Sequence, residues 1–312
     1  MKNFCIVLLS LLAVPASALA MECDNFTGRD RPVKDALDVL NTYTNELLDA
    51  ALAKANDTDK KCDRERLFRK LDRQLATTPV GIVEKWAEHS KLIERLQDDP
   101  NSPESIYNGF NGWKYPLLKA SGIANSIRVN GHVIGTDKLG HFMAEGYKTY
   151  QLWSEEGGSL ERAMGWGIRT EESYFGLLVS CIKSYADLAA NYAGATFYWS
   201  IVDGKSPYFT CREGKFVRVR DFDWKDYVTD AWDEAINCSQ FTRSMGATVL
   251  TNLGRRGQTC PLAGFEKTCA ELSQLAESKW FLSPACKRLA LSTSAVPTWD
   301  PGILVLSGRR GD

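Results

Sequence analysis

Histidine is scarce in this chain. Only His89, His132 and His141 occur among 312 residues. No Cys-x-x-Cys pair accompanies them, which argues against a thiolate or mixed Cys/His zinc site. There is no Gly-x-x-x-x-Gly-Lys-Ser/Thr loop to cradle phosphate and no Gly-x-Ser-x-Gly elbow to present a serine nucleophile. Basic tracts with interleaved aromatics are missing too. The 38 Lys and Arg nearly balance the 39 Asp and Glu, so the charge pattern favours neither nucleic acid nor an anionic membrane. The uncharged stretch Leu188 to Val202 falls short of the roughly 20 residues of a membrane span and reads as a buried core helix. Internal repeats and low-complexity tracts are absent.

What the chain does have begins with a leader. Lys2, the apolar run from Phe4 to Val14 and Ala18-Leu19-Ala20 have the form of a secretory signal peptide cut near Met21. Cys23 follows Glu22, where a lipobox needs a small residue, so no lipid anchor is expected. Loss of Cys5 with the leader leaves Cys23, Cys62, Cys181, Cys211, Cys238, Cys260, Cys269 and Cys286. An even set in an exported chain predicts disulfides, and spacing leaves their pairing open. Cys23 and Cys62 flank the first helix and are one candidate pair. Cys181 is a candidate buried thiol, and the last three cysteines would pin the tail. Asn-x-Ser/Thr triplets at Asn25, Asn56 and Asn237 matter only where secreted proteins are glycosylated.

The expected fold is mainly α: a disulfide-stabilised helical bundle with two short β-hairpins. Apolar periodicity predicts helices over Pro32–Ala55, Cys62–Ala76 and Pro79–Gln97. Asn130-Gly131 between β-branched runs predicts a hairpin over 127–134, which delivers the chain to Thr136 and a helix over Asp137–Ser154. Ser159 caps a helix to about Gly176, and Ser184 caps another to about Val202. A second hairpin turns at Glu213-Gly214. Asp223 begins a helix to Asn237, and weaker helices follow over 242–253 and 266–279. The division this suggests is a leader over 1–20, an N-terminal helical region over 21–104, a motif-bearing core over 105–203 and a cysteine-containing region over 204–312.

The chemistry concentrates between Gly131 and Gly194. Asp137, His141 and Glu145 lie at four-residue steps on one side of their helix, and Asp187 and Asn191 lie one turn apart on a later one. Packing of these helices with the one that ends near Glu171-Glu172 would gather carboxylates, an imidazole and an amide. Such a set suits a divalent metal with hard ligands or a metal-free general base with an orienting acid. The same residues also admit structural roles. Asp137 can complement a helix dipole, Asp187 can complete a capping box, and Lys138 can pair at the surface. His141 can be a satisfied core histidine, and Tyr185, Tyr192, Tyr198 and Trp199 read as core before they read as a sugar platform.

The ordered set Asp137-Lys138-x-x-His141-Phe142, a Glu near 172 and Asp187-x-x-x-Asn191-x-x-Gly194 resembles the DKxxHF pattern of VanZ-like and YfiM-like bacterial envelope proteins. The likeness covers about 135–199. It departs from the membrane-embedded and lipid-anchored character of those proteins. It implies a shared site formed by Asp137, Lys138, His141, Glu172, Asp187 and Asn191, with Glu171 as the competing alignment for Glu172. The expected metal ligands are His141, Glu172 and Asp187, with a divalent metal as candidate cofactor. The reading is of a periplasmic or secreted envelope protein with envelope components as partners and no nucleic acid. An envelope-directed hydrolase is set against a non-catalytic protein whose polar cluster fixes helix packing.

Overall fold

A computed structural model describes residues 22–76, 81–96, 102–110, 122–173, 176–178 and 180–291; the segment expected to be a leader, 1–20, and the segment from Gly302 onward lie outside the described residues. The chain is about half helical, with short strands in two-stranded sheets.

Helix α1 (Leu37–Asn56) buries the stripe Leu40, Thr44, Leu48, Ala51 and Ala55. It starts five residues later than its periodicity predicts because the chain before it is tied to the first hairpin, and Asp35 Oδ1 accepts the Leu37 N–H at 2.9 Å where the helix begins. Asp35 accepts the Asn130 N–H at 2.9 Å and the Gly131 N–H at 2.7 Å, while the Ala36 N–H donates to the Arg128 carbonyl. These bonds hold the chain extended along the first hairpin. Asp63 caps α2 (Arg64–Leu71), which widens into a π turn at Asp72–Ala76. Helix α3 (Ile82–His89) stops well before Gln97. Arg95 folds back there onto the Ala87 and Ser90 carbonyls.

Strand β1 (Glu22–Cys23) pairs in parallel with β2 (Ile123–Ala124). The hairpin of β3 (Ser126–Val129) and β4 (His132–Gly135) turns on Asn130 and Gly131, at φ 52° and 81°, as an Asn-Gly turn requires. Helix α4 (Asp137–Gly140) then runs through a π turn, His141–Glu145, into α5 (Gly146–Ser154). Ser159 caps α6 (Leu160–Glu171). After β5 (Ile182–Lys183), Ser184 caps α7 (Tyr185–Trp199). Helices α5 and α7 meet at Gly146 and Gly194, where a Cβ on Gly146 would lie 2.6 Å from the Gly194 Cα.

The second hairpin, β6 (Phe209–Arg212) with β7 (Lys215–Arg218), turns at Glu213-Gly214. The helix predicted from Asp223 to Asn237 does not form. Two 3-10 turns, Trp224–Asp226 and Asp230–Trp232, stand in its place. Asp223 caps only the Lys225 N–H and also binds Asn41, Thr229 caps the second turn, and the buried Trp224 and Trp232 rings pin both turns to the core. Strand β8 (Gln240–Phe241) pairs with β5, and α8 (Arg243–Arg255), α9 (Glu266–Ser273), α10 (Ser278–Phe281) and α11 (Pro284–Leu291) complete the described chain.

Three disulfides form: Cys62–Cys211, Cys238–Cys260 and Cys269–Cys286. The expected Cys23–Cys62 pair does not, because Cys23 is buried beside Lys138. Cys181 is buried and outside the three bridges. Such bridges belong to an oxidising compartment. No helix among the described residues is long and apolar enough to cross a membrane. Asn25 and Asn237 are fully buried, which closes both to glycosylation in the folded chain.

Candidate functional site

Lys138 is the centre of the buried polar interior. Its side chain is fully enclosed, and its ammonium lies 2.6 Å from Asp137 Oδ2, 2.6 Å from Asp187 Oδ1 and 2.7 Å from Glu234 Oε1. Cys23 Sγ closes the cage at 3.5 Å. Burial works against the charge on Lys138, but Asp137, Asp187, Cys23 and Glu234 outweigh it and push the pKa up, so this lysine is a fixed cation. Lys138 therefore neither pairs at the surface nor has a face left for a substrate.

One turn on, His141 opens the π turn, in which the Gly146 N–H reaches back to the His141 carbonyl. Wide turns of this kind often mark functional sites. His141 Nε2 lies 3.0 Å from Asp187 Oδ2. Asp187 thus bridges Lys138 and His141 with its two oxygens. The Nε2 approach is short but off the N–H axis, so Nε2 has no well-directed hydrogen-bond partner among the described residues. Burial opposes charge on the imidazole, whereas Asp187, Glu171 and Asp137 favour it and raise the pKa. For Asp187, burial alone would favour the neutral acid. His141 and Lys138 reverse this and hold the carboxylate well below its usual range.

Asn191, one turn along α7, sets the ring orientation. Its amide oxygen faces His141 Nδ1 at 3.1 Å. The opposite amide orientation places the nitrogen there instead, at 3.2 Å from the Asp187 and His141 carbonyls. The first accepts a proton from Nδ1, and the second donates to Nδ1 and leaves the imidazole proton on Nε2.

The third carboxylate is Glu171, not Glu172. Glu171 is buried at the end of α6, and its Oε2 accepts the Ser184 N–H at 3.3 Å. Atoms of His141, Glu171 and Asp187 all lie within 4.8 Å of one another. Burial and Asp187 push the Glu171 pKa up to about 8, against the pull of His141. Glu172 points outward and pairs with Lys183 at 2.6 Å, because successive helical residues lie about 100° apart. The burial stripe Ala163, Gly167, Glu171 was present in the sequence at i, i+4, i+8 and would have chosen correctly.

Four further residues had no motif to announce them. Glu234 comes from irregular chain, its N–H anchored on Asn25 Oδ1 at 3.0 Å and its carboxylate also accepting the Ser184 hydroxyl. Cys23 and Glu22 enter from β1. Glu84, from α3, lies against Gly140. Burial raises the pKa of Glu22, with Asp187, Glu234 and Glu171 adding to it, and burial with Asp137 does the same for Glu84. Asp137 is lifted to about 7 by burial, against Lys138. Glu145 is largely buried nearby; burial raises its pKa, and His141 and Lys148 oppose that.

His132 is half-buried against Asp230, and His89 is exposed. Among the aromatics weighed as a sugar platform, Tyr198 is fully buried and Trp199 is stacked on Trp153. No protein-family model, curated protein or solved structure matches the chain.

Proposed function

We propose that this chain is an exported cell-envelope hydrolase, periplasmic or secreted, whose reaction centre is His141, Asp187 and Glu171. The observation that carries the reading is their convergence from three helices onto one buried spot. Perturbed titratable groups gathered in this way are the usual furniture of acid–base catalysis. The DKxxHF likeness and the three disulfides support the envelope location.

In this reading Asp187 orients the imidazole and stabilises its charged form, His141 in that form supplies a proton to the leaving group, and Glu171, its pKa lifted to about 8, takes a proton from water. Lys138 acts at one remove, as a positioning residue that locks the other oxygen of Asp187. Asp137 and Glu234 hold Lys138, and Asn191 sets the tautomer of His141.

A second reading keeps the cluster purely structural. The observation favouring it is the complete enclosure of Lys138, which ties β1, α4, α7 and the Glu234 segment together whether or not chemistry occurs. Incubation of the purified chain with isolated envelope, with released fragments followed by mass spectrometry, separates the two. The enzyme reading expects fragments from wild type and none from H141Q or E171Q, both melting close to wild type. Full activity in both variants removes the proposed centre. A wild type that releases nothing, with both variants unfolding early, favours the structural reading.

A further inference from the structure

We propose that His141, Glu171 and Asp187 form a binding site for one divalent cation of the Mn²⁺, Fe²⁺ and Zn²⁺ class, with Lys138 as a built-in second cation across the Asp187 carboxylate. The proposal rests on the hydrolase reading and its three residues but changes their roles: with the ion bound, His141, Glu171 and Asp187 are ligands, and the ion would activate water in place of a protein base.

Four observations point the same way. First, ligand atoms about 2.1 Å from one ion lie roughly 3 to 4.2 Å apart. The three side chains offer atoms within 4.8 Å of one another, and His141 Nε2 and Asp187 Oδ2 are already at 3.0 Å. Second, His141 Nε2 is a buried nitrogen with no directed hydrogen bond among the described residues. Its close, off-axis approach to a carboxylate oxygen is how two ligands of one ion stand. Third, Glu22 is 4% exposed, and its Oε2 has no hydrogen bond among the described residues. Fourth, the buried acids Glu22, Glu84, Asp137, Glu171, Asp187 and Glu234 outnumber the buried basic groups Lys138 and His141, so carboxylate oxygens remain to hold a cation.

A second group, Cys23, Asp137 and Glu234, also has metal-like spacing. It is already occupied, because the Lys138 ammonium lies among these three side chains. Asp187 then does for one ammonium and one metal ion what a bridging carboxylate does for two metals. One imidazole among carboxylates suits Mn²⁺, Fe²⁺ or Zn²⁺ better than Ca²⁺ or Mg²⁺, which prefer all-oxygen sites. Nε2 can bind a cation only if the ring proton sits on Nδ1. The Asn191 amide is better satisfied with its nitrogen toward Nδ1, donating there at 3.1 Å and to the Asp187 and His141 carbonyls at 3.2 Å, so cation binding at Nε2 requires the amide to turn its oxygen to Nδ1 and accept the ring proton.

The test is Mn²⁺ binding to the purified chain after chelator treatment, read from the loss of the free-Mn²⁺ electron paramagnetic resonance signal. Wild type should take up one Mn²⁺ per chain and melt at a higher temperature with it. E171Q should bind at least tenfold more weakly, and E172Q as wild type. N191D, which can only accept from Nδ1, should keep the affinity, and N191L should lose it. Equal binding by wild type and E171Q, or no uptake of Mn²⁺ or Zn²⁺ by wild type, overturns the site. If chelated wild type still releases envelope fragments, the cation proposal falls while the acid–base centre stands.

Discussion

The helix that starts at Asp137 serves two interiors of opposite chemistry. On one side Lys138 and His141 enter a buried network of carboxylates. The next residue after His141, Phe142, enters a wholly aromatic nest with Phe197, Phe222, Trp224, Tyr227 and Trp232, at ring-centroid distances of 4.9 to 6.0 Å. Both regions lie in the interior. The aromatic nest gains from apolar burial and ring geometry, and any part of it contributes on its own. The charged interior is stable only as a balanced set, because each ion there is tolerable through its partners. One region is robust to small edits, and the other depends on its charge count.

That contrast can be broken experimentally. K138M should have the largest effect, a loss of about 3–5 kcal/mol in chemical denaturation, because it strands Asp137, Asp187 and Glu234 without their cation. Adding D137N and E234Q should recover part of the loss, since coupled neighbours are not additive. If the triple variant is no more stable than K138M, the charge-balance account is wrong. F142A should cost a similar amount, about 3–5 kcal/mol, and D137N with E234Q should recover none of it.

The smallest effect is expected at the rim, where His132 Nδ1 meets Asp230 at 2.6 Å. The hydrogen bond from Asp230 raises the His132 pKa, against partial burial. The folded form therefore holds its proton more tightly than the unfolded chain. This contribution is fully present below the unfolded value near pH 6.5 and disappears as the pH rises through the higher folded value. At a half-exposed pair it should amount to less than about 1 kcal/mol. H132Q should flatten that part of the stability–pH curve, and an unchanged curve would remove the pair from the account.

Local signals in the sequence were reliable where the physics is local. The Asn130-Gly131 turn and the Ser159 and Ser184 caps were readable because each depends on a few neighbouring dihedrals and hydrogen bonds. The failures came where a distant partner won. The residues before Leu37 were held extended by the first hairpin, and Asp223 was drawn to Asn41 on α1. Cys62 chose Cys211, 149 residues away, over Cys23. Glu234 and Glu22 had no motif, because their place in the site comes from contacts with Lys138, Asn25 and Ser184 and from burial of a two-residue strand.

The sequence alone determined that Asp137 and His141 would share one helical face and Asp187 and Asn191 another, since the 3.6-residue period fixes which side chains point together. Only the tertiary structure decided that Lys138 would be the enclosed cation and not a surface lysine, and which further acids would surround it. A charge leaves water only when its partners arrive from elsewhere in the chain, and no local pattern of residues encodes that meeting.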